Sequence, residues 1–557
     1  MEQNNPEATN TPPSSSPPAE TATTQDSSPK PEDISLPTRL STSGMTDIFQ
    51  PNESLVTKDL EPQNEGTNEL SPLYKDPNKL PLGLFLSKSA QITFSGMFLY
   101  ISLLLLQTIN LAFIGQKYED DKMIDAIGIT NLYMNCALNS IYTGLISGME
   151  TLAANAYGTK RYKLLGYYYH RARIIGYAVT IVLVVIHLFT VSHVLRFFKL
   201  DEKVIEYSII YIYSSLVYVF FDVQTSCVFN MLSVLEKSHI SFIILLISLF
   251  LHPVWNYIFI TVLDYGVAGA GISFTISKFL SFVMATVYYW NWNPVPESNF
   301  WINKKCFSIR GIINYLKFSF GSAFLTCAEW WGIEIQAIIA IYIGNDDYTV
   351  YILISDLTSL LYSIDEGFML SITILVGEII ANGTIKQVKL SCIYSFVFGL
   401  VSNFVFCGTF FIFRKSIFNI FTNEEKILEL AYPVLIVISI SEYVDLIQTM
   451  LVSIFRGIGR QYTASILMFI HYYVIMIGLS IFFGIYWKWG VFGMFVGIGA
   501  SDLLMSIVYF ITLVFIDFSK AQKETIERLK KDNSLTFIVG DEEENLVSEE
   551  EEKRNKM

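Results

Sequence analysis

The chain has 557 residues, of which 52% are hydrophobic and only 16% are charged, a composition that excludes an ordinary soluble protein. The formal net charge of -13 belongs to the two ends, because residues 1–88 and 517–557 together carry about -11 of it. So acidic a balance disfavours a nucleic-acid partner, whose phosphates need a basic surface.

Residues 1–84 are rich in Pro, Ser, Thr, Asn and Glu and contain few apolar positions. Such a segment cannot bury enough apolar surface to fold, so we predict a disordered N-terminal tail.

Twelve apolar spans follow, each long enough to cross a bilayer as a helix. The first six lie at about 90–114, 127–150, 172–195, 207–231, 239–263 and 266–290, and the second six at about 312–344, 349–380, 391–413, 428–455, 463–487 and 491–516. We therefore predict an all-α membrane protein with an N-lobe at 85–290, a connector at 291–311, a C-lobe at 312–517 and an acidic tail at 518–557.

An internal repeat relates the two lobes. Residues 223–225 (VQT) recur as 447–449 (IQT), and residues 266–269 (GVAG) recur as 490–493 (GVFG), both at a shift of 224 residues. Because each half has an even number of spans, both halves enter the membrane from the same side, and the repeats are parallel. A cavity between the two lobes follows, and a closed two-lobe unit favours a monomer.

Basic residues in the short loops predict the orientation and the setting of the chain. The cluster between the second and third spans, at residues 160–173, is the clearest cytoplasmic signal and places both termini in the cytosol. We expect a multi-pass protein of the plasma membrane or of a vacuolar or endosomal membrane. The six cysteines are scattered, which predicts free thiols rather than a disulfide or zinc framework.

Glu329 lies near the middle of the seventh span. A carboxylate at that depth costs at least ~2.5 kcal/mol to insert, so it marks a functional site by default. Trp330 and Trp331 offer aromatic faces to an organic cation, but neighbouring helical residues are ~100° apart, so only one of them can face a given cavity. Glu334 lies ~140° round the helix from Glu329. The alternative is that Glu329 is a structural acid held by a neighbouring helix.

In the tenth span, Glu442, Asp445 and Gln448 form a polar stripe that predicts a wet interior face. An interhelical hydrogen-bond network without transport is the alternative. Lys278 in the sixth span is expected to neutralise one of the acids, whereas Glu150, Glu378 and Asp502, near the ends of spans, are expected to be hydrated.

Taken together, these motifs resemble the multidrug and toxic compound extrusion (MATE) family in its eukaryotic branch. Residues 148–158 resemble the ALETLCGQAYG stretch of that family, 328–331 with Glu334 resemble LEWW…E, and 445–461 resemble D…Q…RG.G.Q. The match includes candidate motif residues Glu150, Gly158, Arg171, Gly266, Gly269, Arg456 and Gly457, and the internal repeat adds Gln224.

The resemblance implies a V-shaped transporter that exports organic cations or other small metabolites and xenobiotics, coupled to inward flow of H+ or Na+. It assigns proton or cation coupling to Glu329 and Asp445. From residue type and position, we predict substrate contact by these two acids together with Trp330, Trp331, Glu334, Glu442 and Gln448. The resemblance implies no cofactor and no enzyme activity. Prokaryotic relatives place an Asp where this chain has Asn110, and the usual first-helix Pro is absent.

We therefore predict a proton-coupled antiporter that works by alternating access within the lipid bilayer on a small-molecule substrate. A Na+-coupled exporter and a flippase for lipid-linked substrates are the alternatives within the superfamily, although a flippase for polyanions needs a basic cavity, which this sequence does not offer. A channel and a membrane scaffold acting through its tails are alternatives from other classes.

Overall fold

The computed structural model describes residues 76–118, 120–197, 200–419 and 424–534. Within these ranges every regular element is helical, and the predicted all-α fold of twelve membrane helices in two lobes is confirmed. The predicted tails lie largely outside the described residues.

The N-lobe contains α1 to α6. Their bounds are α1, Leu82–Tyr118; α2, Asp121–Met134 continued by a π-helical segment, Asn135–Asn139, and by Ser140–Gly158; α3, Tyr162–Phe197; α4, Glu202–Ser215 with Tyr218–Val234; α5, Ser238–Asn256 with the π-helical Tyr257–Val262; and α6, Gly266–Trp292.

The C-lobe contains α7 to α12. Their bounds are α7, Ile309–Ile343; α8, Asn345–Asn382; α9, Ile385–Phe418; α10, Glu425–Gly457; α11, Gln461–Phe469 continued by Ile470–Met476 (π), Ile477–Ile481 and Phe482–Tyr486 (π); and α12, Gly490–Val514. A further helix, α13, covers 518–534.

The outer surfaces of these helices are apolar. Among the described residues, nine helices are long and apolar enough to cross a membrane, and α4, bent by 52°, is a tenth. The other two, α2 and α8, also have spanning length, although neither is among the helices of sufficient apolar length. Large side chains such as Phe189, Phe250 and Phe404 are more than 70% exposed, as expected for a surface that faces lipid.

The backbone repeats the internal duplication seen in the sequence. Gly266 and Gly490, which lie 224 residues apart, begin α6 and α12 with φ values of +54° and +62°. A left-handed conformation of this kind favours glycine, which has no Cβ. Each glycine follows a π-helical segment, so the two lobes share an irregular feature as well as a helix count.

The lobes pack against each other through α1 with α8 and α2 with α7. Small residues allow this close approach: a Cβ on Gly96 would lie 3.0 Å from the Cα of Gly367, and one on Gly144 would lie 2.6 Å from the Cα of Ala323. These contacts involve the first half of α1 and the second half of α2. They therefore lie toward the side of the protein that carries residues 76–81 and α13, which we call the tail side.

Helix α13 bridges the two lobes on the tail side. Asp532 accepts hydrogen bonds from Tyr168 Oη (2.7 Å) in α3 and from Asn314 Nδ2 (3.0 Å) in α7. Gln522 Nε2 donates to the carbonyl oxygens of Ile380 (3.0 Å) and Gly383 (2.8 Å) at the end of α8. The segment predicted as an acidic tail from residue 518 thus begins with a packed helix.

Candidate functional site

A cavity of about 390 Å³ lies between the lobes, away from the tail side. Its volume suits a drug-sized molecule. Helices α1 and α2 supply its N-lobe wall, and α7, α8, α10, α11 and α12 supply its C-lobe wall.

The C-lobe wall is acidic. Glu334, Asp356, Glu442, Asp445 and Asp502 line the cavity. Such a wall favours a cation over an anion.

Three of the C-lobe acids meet in what we call the carboxylate cluster: Asp365, Glu442 and Asp445. One oxygen from each lies within 4.8 Å of the others. At an effective dielectric constant of 20, each pair of charges at this distance repels by about 3.5 kcal/mol. The cluster is therefore favourable only when it holds protons or a cation, and its spacing suits either a shared proton or a metal ion.

Glu329 lies beside the cavity rather than in its wall. Its side chain is buried, at 5% exposure, and Oε1 accepts a hydrogen bond of 2.6 Å from Tyr362 Oη. Tyr362 belongs to α8 and lines the cavity, so its phenol separates the Glu329 carboxyl from the open space.

The two tryptophans diverge, as the helical spacing requires. Trp330 lines the cavity. The indole Nε1 of Trp331 instead donates to Cys136 O (2.9 Å) and to Ser140 Oγ (3.2 Å) in α2. Trp331 therefore forms hydrogen bonds between α7 and the N-lobe. Glu334 lines the cavity, on a different face of α7 from Glu329.

The polar stripe of α10 is divided between two environments. Glu442 and Asp445 reach the cavity. Gln448 is 1% exposed, and its Nε2 lies 3.8 Å from Met468 Sδ, so it packs inside the C-lobe. Of the predicted substrate contacts, Glu329, Trp331 and Gln448 are therefore not in the cavity wall.

Sequence reasoning missed Tyr362, the place of Asp365 in the cluster, and a pair between α11 and α12. His471 Nε2 lies 3.1 Å from Asp502 Oδ1, and the histidine belongs to the π-helical segment Ile470–Met476. His471 and Asp502 are intramembrane ionisable residues, which was the available signal. A tyrosine among the many of this chain gives no such signal.

The expectation that acids near span ends are hydrated was wrong. Glu150, Glu378 and Asp502 are only 7%, 4% and 5% exposed. These positions are covered because the lobes pack together there, or because a neighbouring helix supplies a partner. Glu150 Oε2 forms a 2.8 Å ion pair with Arg456 Nη2 across the lobe interface, and Thr151 donates to Arg456 O at 3.1 Å.

The remaining motif residues serve packing. A Cβ on Gly158 would lie 2.5 Å from Glu378 O, and one on Gly457 would lie 2.8 Å from Val376 Cβ. Arg171 is buried beside Gly311, where an added Cβ would collide with its guanidinium. Within the N-lobe, Gln224 donates to Tyr169 Oη (2.9 Å), and a Cβ on Gly269 would lie 2.8 Å from Phe259 O.

Charge inside the N-lobe is compensated locally. Lys278 Nζ lies 2.6 Å from Asp222 Oδ1, and Tyr142 donates to Asp222 Oδ2 at 2.7 Å. Asn110 is buried, and its Nδ2 donates to Tyr211 Oη at 3.4 Å. Its Oδ1 lies 2.8 Å from Nε2 of the buried His252. The predicted neutralisation by Lys278 thus acts on Asp222, and all six cysteines are free thiols, as predicted.

The MatE family model matches the chain twice, over residues 97–258 and 322–482, once in each lobe. Multidrug and toxin extrusion protein 1 of Danio rerio is 26% identical over 282 residues, which is 50% of this chain but only 47% of that relative. The Mus musculus protein of the same name is 23% identical and covers 75% of this chain and 74% of its own length. Protein DETOXIFICATION 51 of Arabidopsis thaliana is 24% identical, with 78% and 82% covered.

Solved structures show the same fold. The eukaryotic MATE transporter AtDTX14 superposes with a TM-score of 0.75 at 20% identity, covering 80% of this chain and 99% of its own. An outward-facing MATE family transporter of the MOP superfamily gives a TM-score of 0.71 at 16% identity, covering 83% and 99%.

Proposed function

Because this chain belongs to the multidrug and toxic compound extrusion family of membrane transporters of small molecules, we propose that it exports organic cations in exchange for protons. The observation that carries the proposal is the carboxylate cluster at the wall of a cavity large enough for a drug-sized molecule. Carboxyls so close together accept protons when no cation is present. A cationic substrate and protons therefore compete for the same negative site.

Exchange requires that the site face each side of the membrane in turn. In the conformation described, the lobes pack tightly on the tail side, and the cavity lies on the other side. With both termini in the cytosol, as the basic loops predict, this conformation faces outward. It is the state that takes up protons and releases substrate.

Within this cycle, Glu329 acts as a coupling residue through Tyr362. Protonation of Glu329 removes the charge that the Tyr362 hydroxyl now contacts at 2.6 Å. The hydrogen bond from Tyr362 is then weaker, because a neutral carboxyl is a poorer acceptor than a carboxylate, and a shift of Tyr362 would change the shape of the cavity wall. Asp445 belongs both to the cavity wall and to the cluster, so it links substrate binding to the proton load.

Sodium coupling is the second candidate, favoured by one observation. The three carboxylates of the cluster are close enough to hold a metal ion, and oxygen ligands suit Na+. A flippase for polyanionic lipid-linked substrates is disfavoured by the acids in the cavity wall.

The test uses the purified protein in proteoliposomes with tetraethylammonium as the substrate. An acidic lumen at equal Na+ should drive concentrative uptake of tetraethylammonium, whereas a Na+ gradient at equal pH should not. Uptake driven only by the Na+ gradient would replace proton coupling with sodium coupling. Uptake driven by neither gradient would refute secondary exchange of this cation.

The variant Glu329→Gln tests the coupling residue. We expect loss of pH-driven accumulation, because the glutamine cannot exchange a proton. Glu206→Gln is the matched control, since Glu206 is exposed on α4 and does not line the cavity. Proton-driven accumulation that survives in Glu329→Gln would remove Glu329 from the mechanism.

A further inference from the structure

The two walls of the cavity differ in chemistry. None of the described residues that line it from the N-lobe is charged, whereas the C-lobe wall carries five acids. The polar groups of the N-lobe wall are the side-chain amides of Gln107 in α1 and Asn135 in α2, together with the Tyr100 hydroxyl.

The amide surface continues beyond the main cavity. A second, small cavity of about 10 Å³ is also lined by Gln107 and Asn135, so the two spaces adjoin. Asn131 and Asn139 join them there, giving a row of three asparagines at four-residue spacing across the π-helical segment Asn135–Asn139. We call Gln107, Asn131, Asn135 and Asn139 the amide row.

Hydrogen bonds order one end of this row and leave the other end available. Tyr218 Oη donates to Asn139 Oδ1 (3.0 Å), and Asn139 Nδ2 donates to Asn135 Oδ1 (2.9 Å). The Nδ2 group of Asn135 has no hydrogen-bond acceptor among the described residues. The side-chain amides of Gln107 and Asn131 likewise have no hydrogen-bond partner within the described part of the chain.

Uncharged amides that face a cavity without partners favour a particular kind of ligand group. Each offers donors and an acceptor but no charge, so it binds hydroxyl, carbonyl or amide groups without attracting an ion. A site built to hydrogen-bond a polar group discriminates strongly against an analogue that lacks it, because its own polar groups are then left unpaired.

We propose that Gln107 and Asn135, the two members of the amide row that line the main cavity, form a subsite for a neutral, hydrogen-bonding portion of the substrate. The preferred substrate is then an elongated organic cation with its positive charge at the C-lobe acids and hydroxyl or amide groups at its other end. This inference rests on the proposed export of cations and narrows the substrate class.

The test compares two probes that differ only at the far end: hexyltriethylammonium and 6-(triethylammonio)hexanamide. Two or three neutral hydrogen bonds should give the amide probe a KM lower by about tenfold in the wild-type protein. The near-isosteric changes Asn135→Leu and Gln107→Met should each reduce this tenfold ratio of the two KM values to about three- to fivefold, because each removes only part of the hydrogen bonding. The double variant should bring the ratio close to one. The matched control Asn291→Leu, at an exposed position of α6, should keep the wild-type ratio.

A wild-type protein that transports both probes with equal KM would overturn the subsite. So would a preference for the amide probe that remains undiminished in both single variants. If neither probe is transported, the proposed function fails, and the subsite is judged by binding of the same probes to the purified protein, measured as a thermal stabilisation. A preference for the amide probe that is clear in the wild-type protein and smaller in the two variants supports the subsite. Equal binding of the two probes, or a preference that is unchanged in the variants, refutes it.

Discussion

The ion pair between Glu150 and Arg456 should stabilise the conformation in which the lobes are packed together on the tail side, and we call this role the lock. Glu150 lies in α2 and Arg456 in α10, and their side chains are only 9% and 4% exposed at a separation of 2.8 Å. When the lobes separate on this side, both groups regain water. Glu150→Gln therefore destabilises the described conformation and leaves the opened one largely unaffected.

The size of the effect follows from the uncompensated charge. Removing one partner of a buried ion pair costs about 3–5 kcal/mol, and the retained amide oxygen favours the lower end of this range. A cost of about 3 kcal/mol changes the ratio of two conformations by about 150-fold. A hundredfold preference for the described conformation would become a mixture of comparable populations.

Cysteine reactivity can measure this change on both sides of the lobes. Cys136 lines the cavity, and Ser371 is buried at the lobe interface, with its Oγ 2.9 Å from Ser89 Oγ. In proteins that keep only Cys136, or only Ser371→Cys, we expect Glu150→Gln to slow maleimide labelling at Cys136 and accelerate it at residue 371.

The control is Glu236→Gln, which removes an ion pair with Lys88 of 2.5 Å inside the N-lobe. This pair does not cross the lobe interface, so both labelling rates should remain those of the wild-type protein. Unchanged rates in Glu150→Gln, or faster labelling of Cys136, would refute the lock.

Two further predictions concern buried charge and the bridging helix. Lys278→Met leaves Asp222 without its cation and should destabilise the protein by about 3 kcal/mol. Adding Asp222→Asn should restore much of the lost melting temperature. A double variant as unstable as the single variant would contradict local charge compensation. Asp532→Ala removes the acceptor for the hydrogen bonds from Tyr168 and Asn314. Amide hydrogen exchange in residues 518–534 should therefore accelerate by about tenfold or more. Unchanged exchange there would show that other contacts hold α13 in place.

The helix count and the repeat could be predicted because a bilayer imposes local rules. Each span must be long and apolar in its own sequence, without reference to its neighbours. The recurrence of glycine at 266 and 490 also has a local cause, because each residue begins a helix in a left-handed backbone conformation. The ends of the spans gave a wrong expectation at Glu150 because its burial depends on a partner 306 positions away.

The candidate site was only partly accessible from the sequence. Glu329 and Asp445 stood out because ionisable residues are costly in the middle of a span. The position of Tyr362 between Glu329 and the cavity depends on how α7 and α8 pack against each other. The spacing of residues within either helix therefore does not predict it. The loss of Trp331 from the cavity has the same origin, since its indole is held by α2.

The distribution of buried charge between the lobes limits where coupling can occur. In the N-lobe, Asp222 is neutralised by Lys278, and the buried Asn110 carries no charge. In the C-lobe, the carboxylate cluster contains three acids, and Arg456 is already engaged by Glu150 across the interface. A cation or proton that enters the cavity therefore changes the electrostatic energy of the C-lobe far more than that of the N-lobe. In the proposed exchange, the N-lobe wall would therefore select the substrate by hydrogen bonding, and the C-lobe wall would bind the exchanged ions.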